Sequence, residues 1–138
     1  MQRYKLTIEY NGEGYAGWQR QPDIMSVQQA IEEAITAFTQ KELRIHVAGR
    51  TDAGVHATGQ SANFYSYKKI TNKFQFLNSI NFFLKQTDIS IIDLKKKKKD
   101  FHARYSAKER VYEYIILNRD APPILDKNKV WHLRSKLD

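Results

Sequence analysis

The chain has 138 residues, of which 41% are hydrophobic and 28% are charged, and these values are typical of one globular domain. It contains no cysteine, which excludes a disulfide scaffold and a thiolate metal site. No apolar run reaches the roughly 18 residues that a membrane helix needs, and the first residues carry no signal-peptide pattern. We therefore expect one cytoplasmic domain without a membrane partner.

Charge is distributed unevenly along the chain. Residues 1–67 contain 6 Lys and Arg against 7 Asp and Glu, whereas residues 68–138 contain 17 against 8. The formal net charge of +8 therefore comes from the second half. A positive excess of this size favours polyanions, with nucleic acid as the first candidate and an anionic membrane surface as the second. A role in solubility alone stays open.

The first third of the chain predicts a strand, a loop and a helix. Polar and apolar residues alternate over 3–10, which is typical of a strand with one buried face. Residues 11–22 are rich in glycine and aromatic residues, and they predict a loop with a function. Ser26 and Gln29 have the spacing of a capping box, which predicts a helix over 26–40 with an apolar stripe in the core.

The remaining elements mix strands with one more helix, which indicates an α+β fold. They are predicted as strands over 43–47, 60–67, 89–94 and 110–117 and a helix over 70–84. The lysine run 95–99 is typical of a solvated edge or hairpin tip, with a smaller chance of contact with phosphate.

Metal and cofactor sites have no sequence support. The four histidines, His46, His56, His102 and His132, are far apart and lack the paired spacing of a helical zinc site. No phosphate-binding glycine motif follows a strand and opens a helix. We therefore expect neither a metal nor a cofactor.

Residues 49–56, Gly-Arg-Thr-Asp-Ala-Gly-Val-His, are the strongest candidate for chemistry. If Arg50 continues the preceding strand, its side chain points to the same side as Asp52, and the guanidinium can keep the carboxylate ionised. Asp52 would then be an oriented oxygen at a strand end, as a nucleophile or general base requires. The alternative is that Asp52 only closes an Asx turn.

This motif resembles the catalytic motif of the tRNA pseudouridine synthase A (TruA) family. Four further stretches agree with the family in the same order. They are Tyr10–Gly12 with Tyr15–Gln21, Ser26–Gln28, Phe101–Ala107 and Tyr112–Ile115. The resemblance implies a mixed, mainly antiparallel sheet with two helices packed on one face.

The resemblance also implies a reaction. Family members isomerise uridine to pseudouridine in the anticodon stem-loop of tRNA, expected at positions 38–40, without a cofactor. Asp52 would be the catalytic aspartate, and Arg50 would pair with it and help hold the space of the flipped base. Tyr112 would stack on the flipped uracil, because the base must leave the stem before it can react. RNA contacts are expected from Arg20, His56, Arg104 and Arg110.

Two alternatives to these roles stay open. Tyr112 could be an ordinary strand aromatic residue, and Arg20 could belong to a packed turn anchored by Trp18. Family members are roughly twice as long and have two similar halves, so residues 1–138 are expected to be the N-terminal catalytic half. The isolated chain would then be slow or inactive, or a truncated, non-catalytic RNA-binding module. A homodimer is also expected, because the missing half would leave a sheet edge exposed.

Overall fold

The predicted N-terminal strand is present as β1, Gln2–Tyr10. The computed structural model describes all residues 1–138. They divide into two compact units, Met1–Lys108 and Glu109–Asp138, and each is described by itself. The further elements of the first unit are α1 (Val27–Thr39), β2 (His46–Val47), β3 (Ala57–Ser66), α2 (Lys73–Phe83) and β4 (Ile89–Lys97).

The four strands of the first unit form one sheet in the order β2-β3-β1-β4. β1 lies at its centre and pairs antiparallel with both β3 and β4, and β2 pairs antiparallel with β3. Two helices and a mainly antiparallel sheet confirm the predicted α+β fold. The loops that connect these strands lie at the two ends of the sheet.

Both helices contribute to the core on one face of this sheet. Side chains alternate along a strand, so every second residue of β1 points to the same side. Tyr4, Leu6, Ile8 and Tyr10 are each at most 3% exposed. They share one hydrophobic cluster with buried residues of both helices, including Val27, Ile31, Ile35, Phe76 and Ile80. Burial of each such side chain stabilises the fold by about 1.5–3 kcal/mol.

Helix α1 begins where the sequence predicts it. The Ser26 hydroxyl accepts the backbone N–H of Gln29 at 3.2 Å, which satisfies one of the free amides of the first turn. The side chain of Gln29 binds Glu33 instead of returning to Ser26, so only half of the capping box forms. The helix ends at Thr39, and the following residue, Gln40, caps it in a left-handed conformation with φ of 60°. Neither helix is long and apolar enough to cross a membrane.

Three strands of the first unit differ from the predictions by three residues at one end. β3 covers Ala57–Ser66 rather than 60–67. β2 covers only His46–Val47 rather than 43–47, and the backbone N–H of Ile45 donates to a side-chain carboxylate instead of a neighbouring strand. β4 runs on to Lys97, so the start of the lysine run belongs to a strand paired with β1 rather than to a hairpin tip.

The second unit contains one short parallel pair, β5 (Ile116–Asn118) and β6 (Trp131–Leu133). The strand predicted over 110–117 is therefore wrong for residues 110–115, which have no regular secondary structure. Alternating side chains would give a strand in this segment two different faces, but they do not provide the neighbouring strand that it must pair with. Backbone N–H and C=O groups form a strand only where a neighbouring strand accepts and donates their hydrogen bonds.

Candidate functional site

Asp52 lies on a tight turn in the loop between β2 and β3. The backbone N–H of Val55 donates to the carbonyl oxygen of Asp52 at 3.1 Å. Gly54, the third residue of the turn, has φ of +82°, a conformation that glycine adopts without strain. The turn is thus closed by the backbone of Asp52, and its side-chain oxygens accept no hydrogen bond, unlike in an Asx turn. The Asp52 side chain is exposed.

Side chains of the sheet hold the residues just before Asp52. The hydroxyl of Tyr10, at the end of β1, lies 2.8 Å from Oγ1 of Thr51. Gln60, on β3, donates from Nε2 to the carbonyl oxygen of Gly49 at 2.7 Å. The residues on either side of Arg50 are therefore held by two different strands, and the turn that carries Asp52 follows them directly.

The glycine-rich loop after β1 packs against the same residues. The backbone N–H of Trp18 donates to the carbonyl oxygen of Thr51 at 3.1 Å. Gly17 has φ of +83°, and a Cβ atom there would lie 2.5 Å from that oxygen, so only glycine fits. Trp18 is 1% exposed, which confirms it as the anchor of a packed turn.

His56 links the far end of the Asp52 turn to the start of the glycine-rich loop. Its Nδ1 accepts the backbone N–H of Gly12 at 3.0 Å. Gly12 also lies so close to the turn that an added Cβ would be 2.0 Å from the carbonyl oxygen of Val55. His56 is half-buried. The structure therefore gives His56, expected as an RNA contact, a role in joining two loops.

Arg50 does not pair with Asp52. Strand β2 ends at Val47, so Arg50 does not continue it and the argument for a shared face fails. Neither residue takes part in the ion pairs that join Arg20 and Arg44 to Glu32 and Lys73 to Asp93. Arg50 and Asp52 are both exposed, and each side chain faces solvent from the same loop.

Arg20 is bound to a buried carboxylate. Its Nε lies 3.1 Å from Oε1 of Glu32, which also accepts from Arg44 Nη1 at 3.0 Å. The second oxygen of Glu32 accepts the backbone N–H of Ile45 at 2.9 Å. The Glu32 side chain is only 2% exposed. These bonds fasten the glycine-rich loop to α1 and to the segment before β2, so the packed-turn alternative for Arg20 describes its environment.

Arg104 lies in a turn that follows β4 and covers the sheet face opposite the helices. Ala103 in this turn is buried and its N–H donates to Oδ1 of Asn63 on β3 at 2.7 Å. The Arg104 guanidinium lies 5.5 Å from the ring centre of Tyr105. The backbone N–H of Arg104 donates to Nδ1 of His102 at 3.1 Å. Burial, and then the charges of neighbouring basic groups, lower the pKa of His102 below its usual 6.5.

The other two candidate residues, Arg110 and Tyr112, lie in the second unit. Both side chains are exposed, and Tyr112 is 64% accessible. Because residues 110–115 form no strand, Tyr112 is not the ordinary strand aromatic residue that the alternative assumed. Within the second unit, the Tyr112 ring is exposed and does not pack against a sheet.

Sequence reasoning missed Glu32 and Gly17, which position the Asp52 loop. Glu32 lies directly after Ile31 within the buried face of α1, and a carboxylate there requires several donors. One sequence signal was present. Gln28 lies four residues before Glu32, on the same side of the helix, and its amide donates to the Glu32 carboxylate at 3.3 Å. The contact of Gly17 with Thr51 joins residues distant in sequence and left no local pattern.

Comparisons with known proteins identify related sequences. A family profile described as tRNA pseudouridine synthase matches residues 6–106, a range that includes the Asp52 turn and the loops packed on it. The second unit lies outside that range.

Curated relatives match the whole chain. A protein named tRNA pseudouridine synthase A from Caulobacter vibrioides is 49% identical over 138 residues, which is 100% of this chain and 56% of the relative. The namesake from Pelagibacter ubique is 45% identical over the same length and with the same coverage. That from Ehrlichia canis is 46% identical over 137 residues, 99% of this chain and 56% of the relative. The chain spans about half the length of these relatives.

Proposed function

Because the chain belongs to the tRNA pseudouridine synthase family, we propose that it supplies the catalytic aspartate for the isomerisation of uridine in tRNA. Asp52 is that aspartate. The observation that carries the proposal is an exposed carboxylate on a turn fixed by Tyr10, Gln60 and Trp18. A rigid base under a solvent-facing acid suits catalysis, because a reacting oxygen must be held close to one geometry.

The proposed reaction is an exchange of bonds within one nucleotide. The bond from ribose C1′ to uracil N1 breaks and a bond from C1′ to C5 forms. The hydrogen on C5 leaves as a proton, and N1 gains one. No electrons are gained or lost, so the chemistry requires no redox cofactor. Asp52 would act either by attacking C1′ or by accepting a proton, and both roles require its ionised form.

Roles for the other candidate residues are proposed from the family resemblance and from the exposure of their side chains. Arg50, exposed beside Asp52, is proposed to occupy the space that the target base leaves when it flips out of the stem. Tyr112 is proposed to stack on the flipped uracil, because an aromatic face returns part of the cost of unstacking. Arg104 and Arg110, both exposed, are proposed to contact the RNA backbone, whereas Arg20 and His56 are proposed to position loops.

The target and the setting of the reaction come from the resemblance to the family. We propose that the target uridines lie in the anticodon stem-loop of tRNA, that the protein acts in the cytoplasm, and that it forms a homodimer. The chain spans about half the length of the relatives, and a second candidate function is carried beside the first. In that alternative the chain is a non-catalytic RNA-binding module with the same fold.

Tritium release distinguishes the two functions. The protein is incubated in excess over a tRNA transcript labelled with tritium at C5 of uridine, because loss of the C5 hydrogen accompanies bond formation. The proposed function predicts slow release. A transcript with cytidine replacing the uridines of the anticodon stem-loop is the control, and it should release none. Binding of tRNA without any release would favour the non-catalytic module.

A further inference from the structure

The sheet face opposite the helices carries an unusual arrangement of charge. On β1 and β4, Arg3 lies directly across from Lys97, and Lys5 lies directly across from Lys95. These residues alternate with buried Tyr4 and Leu6, so they share the face that the helices leave uncovered. Like charges directly opposite each other destabilise an antiparallel pair. We refer to Arg3, Lys5, Lys95 and Lys97 as the basic patch.

No residue of the basic patch is ion-paired with an acidic side chain. The nearest acid along β4, Asp93, is ion-paired with Lys73 of α2, and this contact is the main cause of its lowered pKa. None of Lys5, Lys95 and Lys97 takes part in an ion pair of the structure. The charge of Lys95 also contributes to the lowered pKa of Asp93, but Asp93 is ion-paired with Lys73, so the two facing pairs of cations have no ion-pair partner of their own.

Aromatic rings and an open cavity adjoin the basic patch. The Arg3 guanidinium lies 4.0 Å from the ring centre of Tyr65 and also donates to the carbonyl oxygen of Phe101. The ammonium of Lys97 lies 5.3 Å from the ring centre of Phe101. A cavity of about 430 Å³ continues from this point. It is lined by Lys96, Lys97, Lys98, Asp100, Phe101 and Ser106.

The position of the basic patch relative to Asp52 follows from strand geometry. Lys5 and Arg3 lie five and seven residues before Tyr10, which contacts the Asp52 loop. At roughly 3.3 Å per residue, the patch is about 16–23 Å from that end of β1. Since a nucleic acid duplex advances roughly 3.4 Å per base pair, this distance corresponds to about five to seven base pairs.

We propose that the basic patch is a second RNA-binding surface, which holds backbone phosphates of the tRNA several base pairs from the reacting uridine. The proposal rests on the proposed function for the identity of the RNA. Alternate residues of one strand lie about 6.6 Å apart, close to the spacing of successive phosphates along a nucleic acid strand. Bound phosphates would neutralise both facing pairs and remove their repulsion.

The test removes two charges from β4. In Lys95→Gln/Lys97→Gln, the patch loses half of its cations. Binding of a tRNA transcript is measured over a series of salt concentrations. Each phosphate contact contributes about one unit to the slope of log K against log salt, so the slope should fall by about two units. The dissociation constant should rise about tenfold at low salt.

A matched variant and a stability measurement separate this role from others. Lys127→Gln/Lys129→Gln removes the same charge from the second unit and should leave the salt slope near the wild-type value. The unfolding temperature of Lys95→Gln/Lys97→Gln should rise, because like-charge repulsion is relieved. A gain in stability with a loss of affinity is the result that a purely structural role for these lysines would not give.

Several results would overturn the proposal. They are an unchanged salt slope in Lys95→Gln/Lys97→Gln, an equal loss in the matched variant, or no measurable tRNA binding by the wild-type chain. Binding to vesicles of equimolar phosphatidylserine and phosphatidylcholine is measured as well. If the basic patch is needed for binding to these vesicles but not for binding to tRNA, the patch is assigned to membranes instead. The binding assay requires no turnover. A failure of tritium release would therefore contradict the proposed function and leave this result standing.

Discussion

The backbone N–H of Trp18 donates a hydrogen bond to the carbonyl oxygen of Thr51, the residue directly before Asp52. Because Trp18 is buried beside Tyr10, this bond connects the candidate catalytic turn to the hydrophobic core. The orientation of Asp52 therefore depends on residues more than thirty positions earlier in the chain. The following predictions test that dependence and its consequences.

Gly17→Ala should destabilise the protein and disturb the Asp52 turn. The new Cβ would meet the carbonyl oxygen of Thr51 at 2.5 Å, and φ of +83° disfavours any side chain. We expect a loss of about 2 kcal/mol or more in the free energy of unfolding, measured with urea. Gly14→Ala is the matched control, because a Cβ at Gly14 has no atom within 4 Å. Equal losses in the two variants would contradict the close packing of these loops.

Glu32→Ala should destabilise the fold much more than Glu33→Ala. Glu32 is buried and accepts hydrogen bonds from Arg20, Arg44 and the backbone of Ile45, so its removal leaves the buried N–H of Ile45 without an acceptor. We expect a loss of about 2–4 kcal/mol. Glu33 is exposed, and its substitution should cost about 0.5 kcal/mol or less. Urea unfolding measures both, and similar values would show that the Glu32 contacts contribute little.

Acid should weaken the fold through His102. Burial lowers the pKa of His102 below 6.5, and the charges of His46, Arg3 and Arg104 lower it further. The unfolded chain therefore binds this proton more readily, and the contribution of neutral His102 to stability is lost as the pH falls from 6.5 through the lowered pKa. His102→Gln should show a smaller fall in unfolding temperature between about pH 7 and pH 5. Parallel profiles for the two proteins would be evidence against this effect.

Elements with strong local patterns were predictable. The alternation of β1 and the cap of α1 at Ser26 depend on neighbouring residues, and the structure has both. The segment 110–115 alternates equally well but has no strand beside it. Side-chain pattern describes the faces of a strand, whereas its existence depends on a partner elsewhere in the fold.

The turn that carries Asp52 was predictable, but the contacts that hold it were not. Asp52 and the glycines around it stand in one short motif, so their presence in a tight turn followed from the sequence. The expected pair of Arg50 and Asp52 is absent, since it required Arg50 to lie in a strand that ends at Val47. The supports that do hold the turn come from β1, β3 and the glycine-rich loop, and such long-range contacts leave no pattern in local sequence.

The chain alone should convert tRNA slowly or not beyond a single turnover. It spans about half the length of the curated relatives it matches, and we propose that the remaining part of such proteins contributes to the substrate cleft. With tRNA in excess over protein, we expect less than one pseudouridine per protein molecule over the time course. Sustained multiple turnovers in the tritium-release assay would show that residues 1–138 form a complete active site.

The most direct measurement compares Asp52→Asn with Asp23→Asn in the single-turnover reaction. Both remove one exposed aspartate charge, but only Asp52 lies on the anchored turn. We predict that Asp52→Asn abolishes tritium release and retains tRNA binding, whereas Asp23→Asn matches the wild-type protein in both. Release by Asp52→Asn at the wild-type rate would contradict the assignment of Asp52 as the catalytic aspartate.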